Sequence, residues 1–120
     1  MNIQAMIDQI KRHPEAGNIG MILCHNGVVR ATARDGRAVT GLRIQVDHDK
    51  LREVIAQKKK TPGIVEILVE INEGRDLVVG DDVMLLVVAG DIRETVISVL
   101  TDTLNTIKTV VTQKTQYFVE

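Results

Sequence analysis

The chain has 120 residues, with 15 basic and 16 acidic side chains, a formal charge of −1, one Tyr, one Phe and no Trp. A near-neutral balance and so few aromatic rings argue against a nucleic-acid binder, which needs a basic face and stacking platforms. One cysteine, no basic-then-apolar leader and no apolar run of membrane-spanning length lead us to expect a single soluble cytoplasmic domain over residues 1–120, without disulfides or membrane contact.

In chain order, Asn2 to Arg12 carries Ile3, Met6, Ile7 and Ile10 on one helical face, and Pro14 stops it. Gly17, Asn18 and Gly20 form a loop. Met21 to Cys24 reads as a strand that resumes at Gly27–Arg30 after a polar break at His25–Asn26. Gly27 inside such a pattern marks a bulge or a close backbone approach. Cys24, set in an apolar run, reads as a small buried hydrophobe. Asp35–Gly36 is the strongest short hairpin signal in the chain. The returning strand alternates Leu42, Ile44 and Val46 against Arg43, Gln45 and Asp47. Asp47 or Asp49 then caps a helix from Lys50 to Lys59, with Leu51, Val54 and Ile55 facing inward and Lys58–Lys59–Lys60 as a solvated end. After the Thr61–Pro62–Gly63 turn, Ile64 to Ile71 reads as a half-buried antiparallel strand. Asn72–Glu73–Gly74 turns the chain, Leu77 to Val79 is a short extended piece, and Gly80–Asp81 turns it again.

The segment that organises the rest begins here. Val83 to Ala89 is apolar on both parities, which places it at the centre of a sheet or at a dimer interface. A Gly90–Asp91 turn leads into a long helix reaching toward Thr115, with the stripe Val96, Ile97, Leu100, Leu104, Ile107 and Val111. Asp91 and Glu94 stand at capping-box spacing. The first turn of this helix, at the carboxyl end of a buried strand, is where ligands are expected to collect. The order of helices and strands has no βαβ alternation, so the class is α+β, with a mainly antiparallel sheet and flanking helices.

Sequence signatures for nucleotide loops, zinc proteases and serine hydrolases are absent, and His13, His25 and His48 show no ligand spacing, so neither metal nor cofactor is expected. What remains is a scatter of cations near element ends: Arg30, Arg34, Arg37, Arg93, Lys108 and Lys114. Arg30, just past a glycine-containing strand, and Arg93, in the first turn of a helix, would form an anion pocket if brought together. A desolvated lysine further along would supply an amine.

From Ile19 onward the chain resembles the large, catalytic subunit of molybdopterin synthase. The residues that carry the resemblance are IGMILCHNGVVR (19–30), LRIQVDHDKLREVIAQ (42–57), VEILVEINEGRDLVVGDDVMLLVVAGDIRETV (65–96) and TLNTIKT (103–109). That family implies an α/β hammerhead type of fold and a homodimer. It also implies a small ubiquitin-like partner with a C-terminal Gly-Gly thiocarboxylate, and sulfur transfer to cyclic pyranopterin monophosphate to form the dithiolene of molybdopterin. By position, the resemblance makes Lys108 the catalytic amine and Lys114 a candidate second amine, and puts Arg30 and Arg93 on the anionic pterin. The family pattern is departed from at Ile92, where a histidine is usual, and at Thr112, Lys114 and Thr115, where proline, tryptophan and the second lysine are usual. The alternative is a non-catalytic homologue serving as a dimeric binding or regulatory module.

Overall fold

The computed structural model describes all residues from Met1 to Glu120. Asn2 opens helix α1 (Ile3–Lys11), its Oδ1 accepting the Ala5 N–H at 3.1 Å. After a short 3-10 turn come β1 (Met21–Val28), β2 (Val39–Val46), α2 (His48–Lys59), β3 (Ile64–Ile71), β4 (Asp76–Val78), β5 (Asp82–Gly90), α3 (Arg93–Thr106), a π-helical turn (Ile107–Val111) and β6 (Thr112–Phe118). No helix is long and apolar enough to cross a membrane.

The strands form two three-stranded sheets, ordered β1-β5-β3 and β4-β2-β6, and every pairing is antiparallel. The class is therefore α+β, as the element order implies, though two sheets stand where one is expected. They are strung along a molecule of 52 × 25 × 24 Å. β5 is central in its sheet, and Leu86, Val87, Val88 and Ala89 are wholly inaccessible. Leu85, Val87 and Ala89 pack with Met6 and Ile10 of α1, while Leu86 and Val88 pack with Val96 and Val99 of α3. Burying each such aliphatic side chain stabilises the fold by about 1.5–3 kcal/mol, which outweighs the weak helix propensity of the Thr- and Val-rich α3.

Several expectations are corrected. β1 runs unbroken through His25–Asn26, because β5 pairs with every residue from Met21 to Gly27, and the irregularity falls at Gly27/Val28. The Asp35–Gly36 turn forms, with Gly36 at φ +89°, but β1 and β2 do not pair as hairpin partners; only an isolated Thr32–Ala38 bridge closes the loop and the two strands enter different sheets. Cys24 is exposed, since α1 covers Ile22 on that face of β1 but does not extend over its neighbour. Asp91 does not cap α3. Its N–H donates to Gly63 O at 2.9 Å and its Oδ1 accepts from the adjacent Ile92 N–H at 2.7 Å, so Ile92 becomes the N-cap without a side-chain bond and the capping box with Glu94 does not form. The expected helix also ends early: residues 112–118 are a strand against β2, where Thr, Tyr and Phe suit a pleated edge. Of the predicted stripe, Ile97 lies 47% exposed and Val99 takes the buried place.

Leu86→Ala is expected to lower unfolding free energy by about 2–5 kcal/mol, as large-to-small changes in a closed core do. Ile97→Ala is expected to stay within about 0.5 kcal/mol of the parent. Urea midpoints of the two variants check which face of the helix carries the core.

Candidate functional site

The π-helical turn is the pivot of the site. Ile107 and Val111 are buried and anchor it, together with Val54 and Met84. Between these anchors Lys108 and Thr109 are thrown outward. A wider turn of this kind changes the phase of the helix by one residue and is a frequent feature of functional sites. At Thr112 the backbone becomes extended (φ −107°, ψ 148°) and β6 begins. Lys114 faces Ile44 across the β2–β6 ladder, so the period of two puts Thr112 and Lys114 on one side of the strand.

Two further elements complete the enclosure. β1 presents His25 and Gly27 on the α3 side of its sheet. The loop between β1 and β2 presents Arg34, and that loop is held in place by its own polar contacts. Asp35 accepts from the Arg37 backbone N–H at 3.0 Å and from Arg37 Nε at 2.8 Å, and the same guanidinium lies 3.8 Å above the Phe118 ring at the end of β6. The Arg37 bonds hold the Asp35 carboxyl below its usual range.

These parts enclose a cavity of about 540 Å³ whose polar lining includes His25, Arg34, Asn105, Thr109, Lys108 and Lys114. Leu42, Ile44, Ile71, Val83 and Met84 form its apolar wall. No Asp or Glu lines it, and no ion pair in the molecule uses Arg34, Lys108 or Lys114. Desolvation pushes the Lys108 amine below the usual lysine value, and the like charges of Arg34 and then Lys114 add to the shift. Desolvation, followed by the charge of Lys108, lowers His25 likewise, so its imidazole is neutral near pH 7. The cavity can therefore hold an anion beside an amine that gives up its proton more readily than a solvated one.

The predicted residues divide. Lys108 and Lys114 come together here. Arg30 and Arg93 do not line the cavity: Arg30 Nε donates to Thr32 O at 2.8 Å, and Arg93 pairs with the adjacent Glu94 at 3.2 Å. The convergence of Arg30 and Arg93 with the lysines is thus replaced, within one chain, by that of Arg34. The first turn of α3, where ligands were expected, borders a separate hollow lined by Glu94 and Asp102 with Lys58, a poorer place for an anion. His13 and His48 face Glu66 and Glu73 elsewhere, and no cluster of three or more His, Cys, Asp or Glu gathers anywhere. From sequence, Arg34 was named only within the scatter of cations and His25 only as a histidine without ligand spacing; neither was given a role. For His25 a signal existed: it is two residues from Gly27, on the same strand face.

Residues 1–110 match the family model described as MoaE protein. Among solved structures, the molybdopterin synthase from Staphylococcus aureus is similar at 19% identity and TM-score 0.71, over 85% of this chain and 77% of that one. The molybdopterin cofactor biosynthesis protein E from Burkholderia multivorans is similar at 20% identity and TM-score 0.76, over 99% and 84%. A chain of the complex of subunits 1 and 2 of the molybdopterin-converting factor from Helicobacter pylori is similar at 16% identity and TM-score 0.70, over 100% and 85%. These likenesses confirm the fold. No match was found among curated protein sequences.

The cause of the Lys108 shift gives a signed expectation. Arg34→Gln removes a cation that pushes the amine's pKa down, so that pKa rises and the neutral fraction at pH 8 falls. Labelling of Lys108 by an amine-specific acylating reagent, followed by peptide mass spectrometry, should slow several-fold in this variant. An unchanged or faster rate refutes the electrostatic account.

Proposed function

The chain belongs to the MoaE protein family, and we propose that within molybdenum cofactor biosynthesis it is the large subunit that carries out the sulfur-transfer step of a molybdopterin synthase. The observation that carries this reading is the cavity where Arg34, Lys108 and Lys114 meet without a carboxylate. Both reactants of the proposed step are anions: a thiocarboxylate at the end of a small partner's tail and a cyclic phosphate on the pterin. Cations in a partly desolvated site stabilise such charges more strongly than they do in water. Lys108, with its lowered pKa, is the amine at the thiocarboxylate, and Lys114 is the second amine. Arg34 is added as a holder of the anion, and the apolar wall offers a surface to the flat pterin. The Helicobacter pylori complex of subunits 1 and 2 supports a small-subunit partner for this chain as well.

Arg30 and Arg93 keep their proposed role on the pterin only under a geometric condition. Arg93 opens α3 and Lys108 lies fifteen residues on, roughly 22 Å along a helical rise of about 1.5 Å per residue. That span is too long for one small substrate in one chain. We propose that the chain forms the homodimer the family resemblance implies and that Arg93 enters such a cavity from the second copy. Arg30 is closer in sequence to the cavity, two residues beyond Val28, and exposed.

Reconstitution with a thiocarboxylated small subunit and cyclic pyranopterin monophosphate tests the reading. The parent chain should form dithiolene, Lys108→Ala should lower the rate by about a hundredfold or more, and Lys114→Ala and Arg34→Ala should lower it by about tenfold or more. Equal turnover by Lys108→Ala ends the assignment of that amine. Partner binding without turnover by the parent chain favours a non-catalytic binding module instead.

A further inference from the structure

One titratable side chain in the cavity has no part in the reaction set out above. His25 lies in the middle of β1, on the face of the sheet that α3 covers, and opposite the inaccessible Leu86. Its imidazole turns along the strand over Gly27. A Cβ placed on Gly27 would lie 3.2 Å from His25 Nε2 and 3.9 Å from Cε1, tighter than ordinary contact at the nitrogen. The missing side chain at position 27 thus leaves the room this ring uses. The other two histidines have ring nitrogens engaged: His13 Nδ1 accepts the Glu15 N–H at 2.9 Å, and His48 Nε2 meets Glu73 Oε1 at 2.8 Å. His25 has no such partner in the protein. The groups that share its cavity are Lys108 from the π-helical turn, Lys114 from β6, Arg34 from the loop after β1 and the neutral Asn105 of α3, with no carboxylate among them.

We propose that His25 is an anion-binding residue of this cavity, whose imidazole takes up a proton when an oxyanion or thiocarboxylate enters and then holds that group as a charged N–H donor. The inference rests on the reading of the cavity as the anion site of the sulfur-transfer reaction. In the empty cavity a fourth cation is disfavoured by burial and by the charge of Lys108, which both lower the imidazole pKa. An anion seated among the cations reverses the sign of the local field, so the pKa of the occupied form is raised above that of the empty form. Binding is then linked to proton uptake. The gain in affinity is fully present below the pKa of the empty form, and is lost as pH rises through the pKa of the occupied form. Histidine suits this because its charge changes within the physiological range.

The probe is inorganic sulfate, which stays a dianion between pH 5.5 and pH 8, titrated into the full chain at constant ionic strength. Binding is followed by the His25 ring protons in NMR and by calorimetry. Sulfate should raise the His25 pKa and tighten binding at pH 5.5 relative to pH 8, by up to about tenfold for each unit of rise. His25→Gln should bind at pH 8 like the parent and lose the tightening between pH 7 and pH 5.5, leaving only the dependence at higher pH that belongs to the Lys108 amine. Gly27→Ala, which displaces the ring without removing it, should weaken the pH dependence in a chain that retains its imidazole. A His25 pKa unmoved by sulfate, the same pH dependence in His25→Gln as in the parent, or no sulfate binding at either pH overturns the proposal. Proton-linked sulfate binding in a chain that shows no sulfur transfer keeps this inference and removes the enzymatic reading. Turnover without proton-linked binding does the reverse.

Discussion

A strand that is apolar on both faces has to be covered on both faces, and most of the architecture follows from that requirement at β5. Leu85, Val87 and Ala89 need a lid on one side and Leu86 and Val88 on the other. α1 supplies the first lid and α3 the second. Because α3 leaves β5 through a turn, it must run back along the same sheet toward the strand's beginning. Its far end therefore arrives near Met84 and Val83, where the second sheet begins. The π-helical turn, with Ile107 and Val111 locked beside Met84, converts this arrival into a change of direction. Lys108 is thus placed by hydrophobic packing rather than by an ion pair, beside the like charges of Arg34 and Lys114, and its chemistry is a consequence of where the core ends.

The charge pattern is the second constraint. A chain with a net charge of −1 has carboxylates enough to neutralise every cation, yet these are used elsewhere. Glu66 meets Lys59, Asp76 meets Arg43 and accepts the Tyr117 hydroxyl at 2.8 Å, and Asp35 is turned toward Arg37. The Asp35 contacts leave Arg34, its neighbour in sequence, facing the cavity without a counterion. Like charges held together at partial burial raise the free energy of the empty site. An anion relieves that repulsion, so the same arrangement that depresses the Lys108 amine also favours occupancy.

Much of the fold was legible because apolar periodicity is local. The β3 span and the central place of β5 follow from parity, and α1 from helical spacing. What failed was decided by partners distant in sequence. Asp91 and Glu94 have capping-box spacing, but Gly63, from another turn, takes Asp91 and shifts the helix start by one residue. The helix expected to reach toward Thr115 stops at the π-helical turn, because residues 112–118 pair with the free edge of β2 as a strand. Asp35–Gly36 signals a turn correctly without telling that the flanking strands separate into different sheets. For the site, the lysines were legible through the family resemblance, whereas Arg34 and His25 depend on how a loop and a strand face close on them. A pairing of Arg30 with Arg93 was attractive because both sit at element ends, yet ends of elements meet only if the topology brings them together.

The change from helix to strand also bears on the second lysine. In the family pattern quoted above, a lysine is usual at the position of Thr115 and tryptophan at that of Lys114. On a continuous helix, positions 114 and 115 differ by 100° and either side chain can be turned toward a neighbouring cleft by a modest shift. On a strand they point to opposite faces. β6 pairs Thr112 with Val46, Lys114 with Ile44 and Gln116 with Leu42, and Ile44, Leu42, Thr112 and Lys114 all line the cavity. Parity therefore gives the cavity an amine at position 114, and a lysine at position 115 on this same register would face away from it. The departure from the pattern is thus matched by the register in which this strand is held.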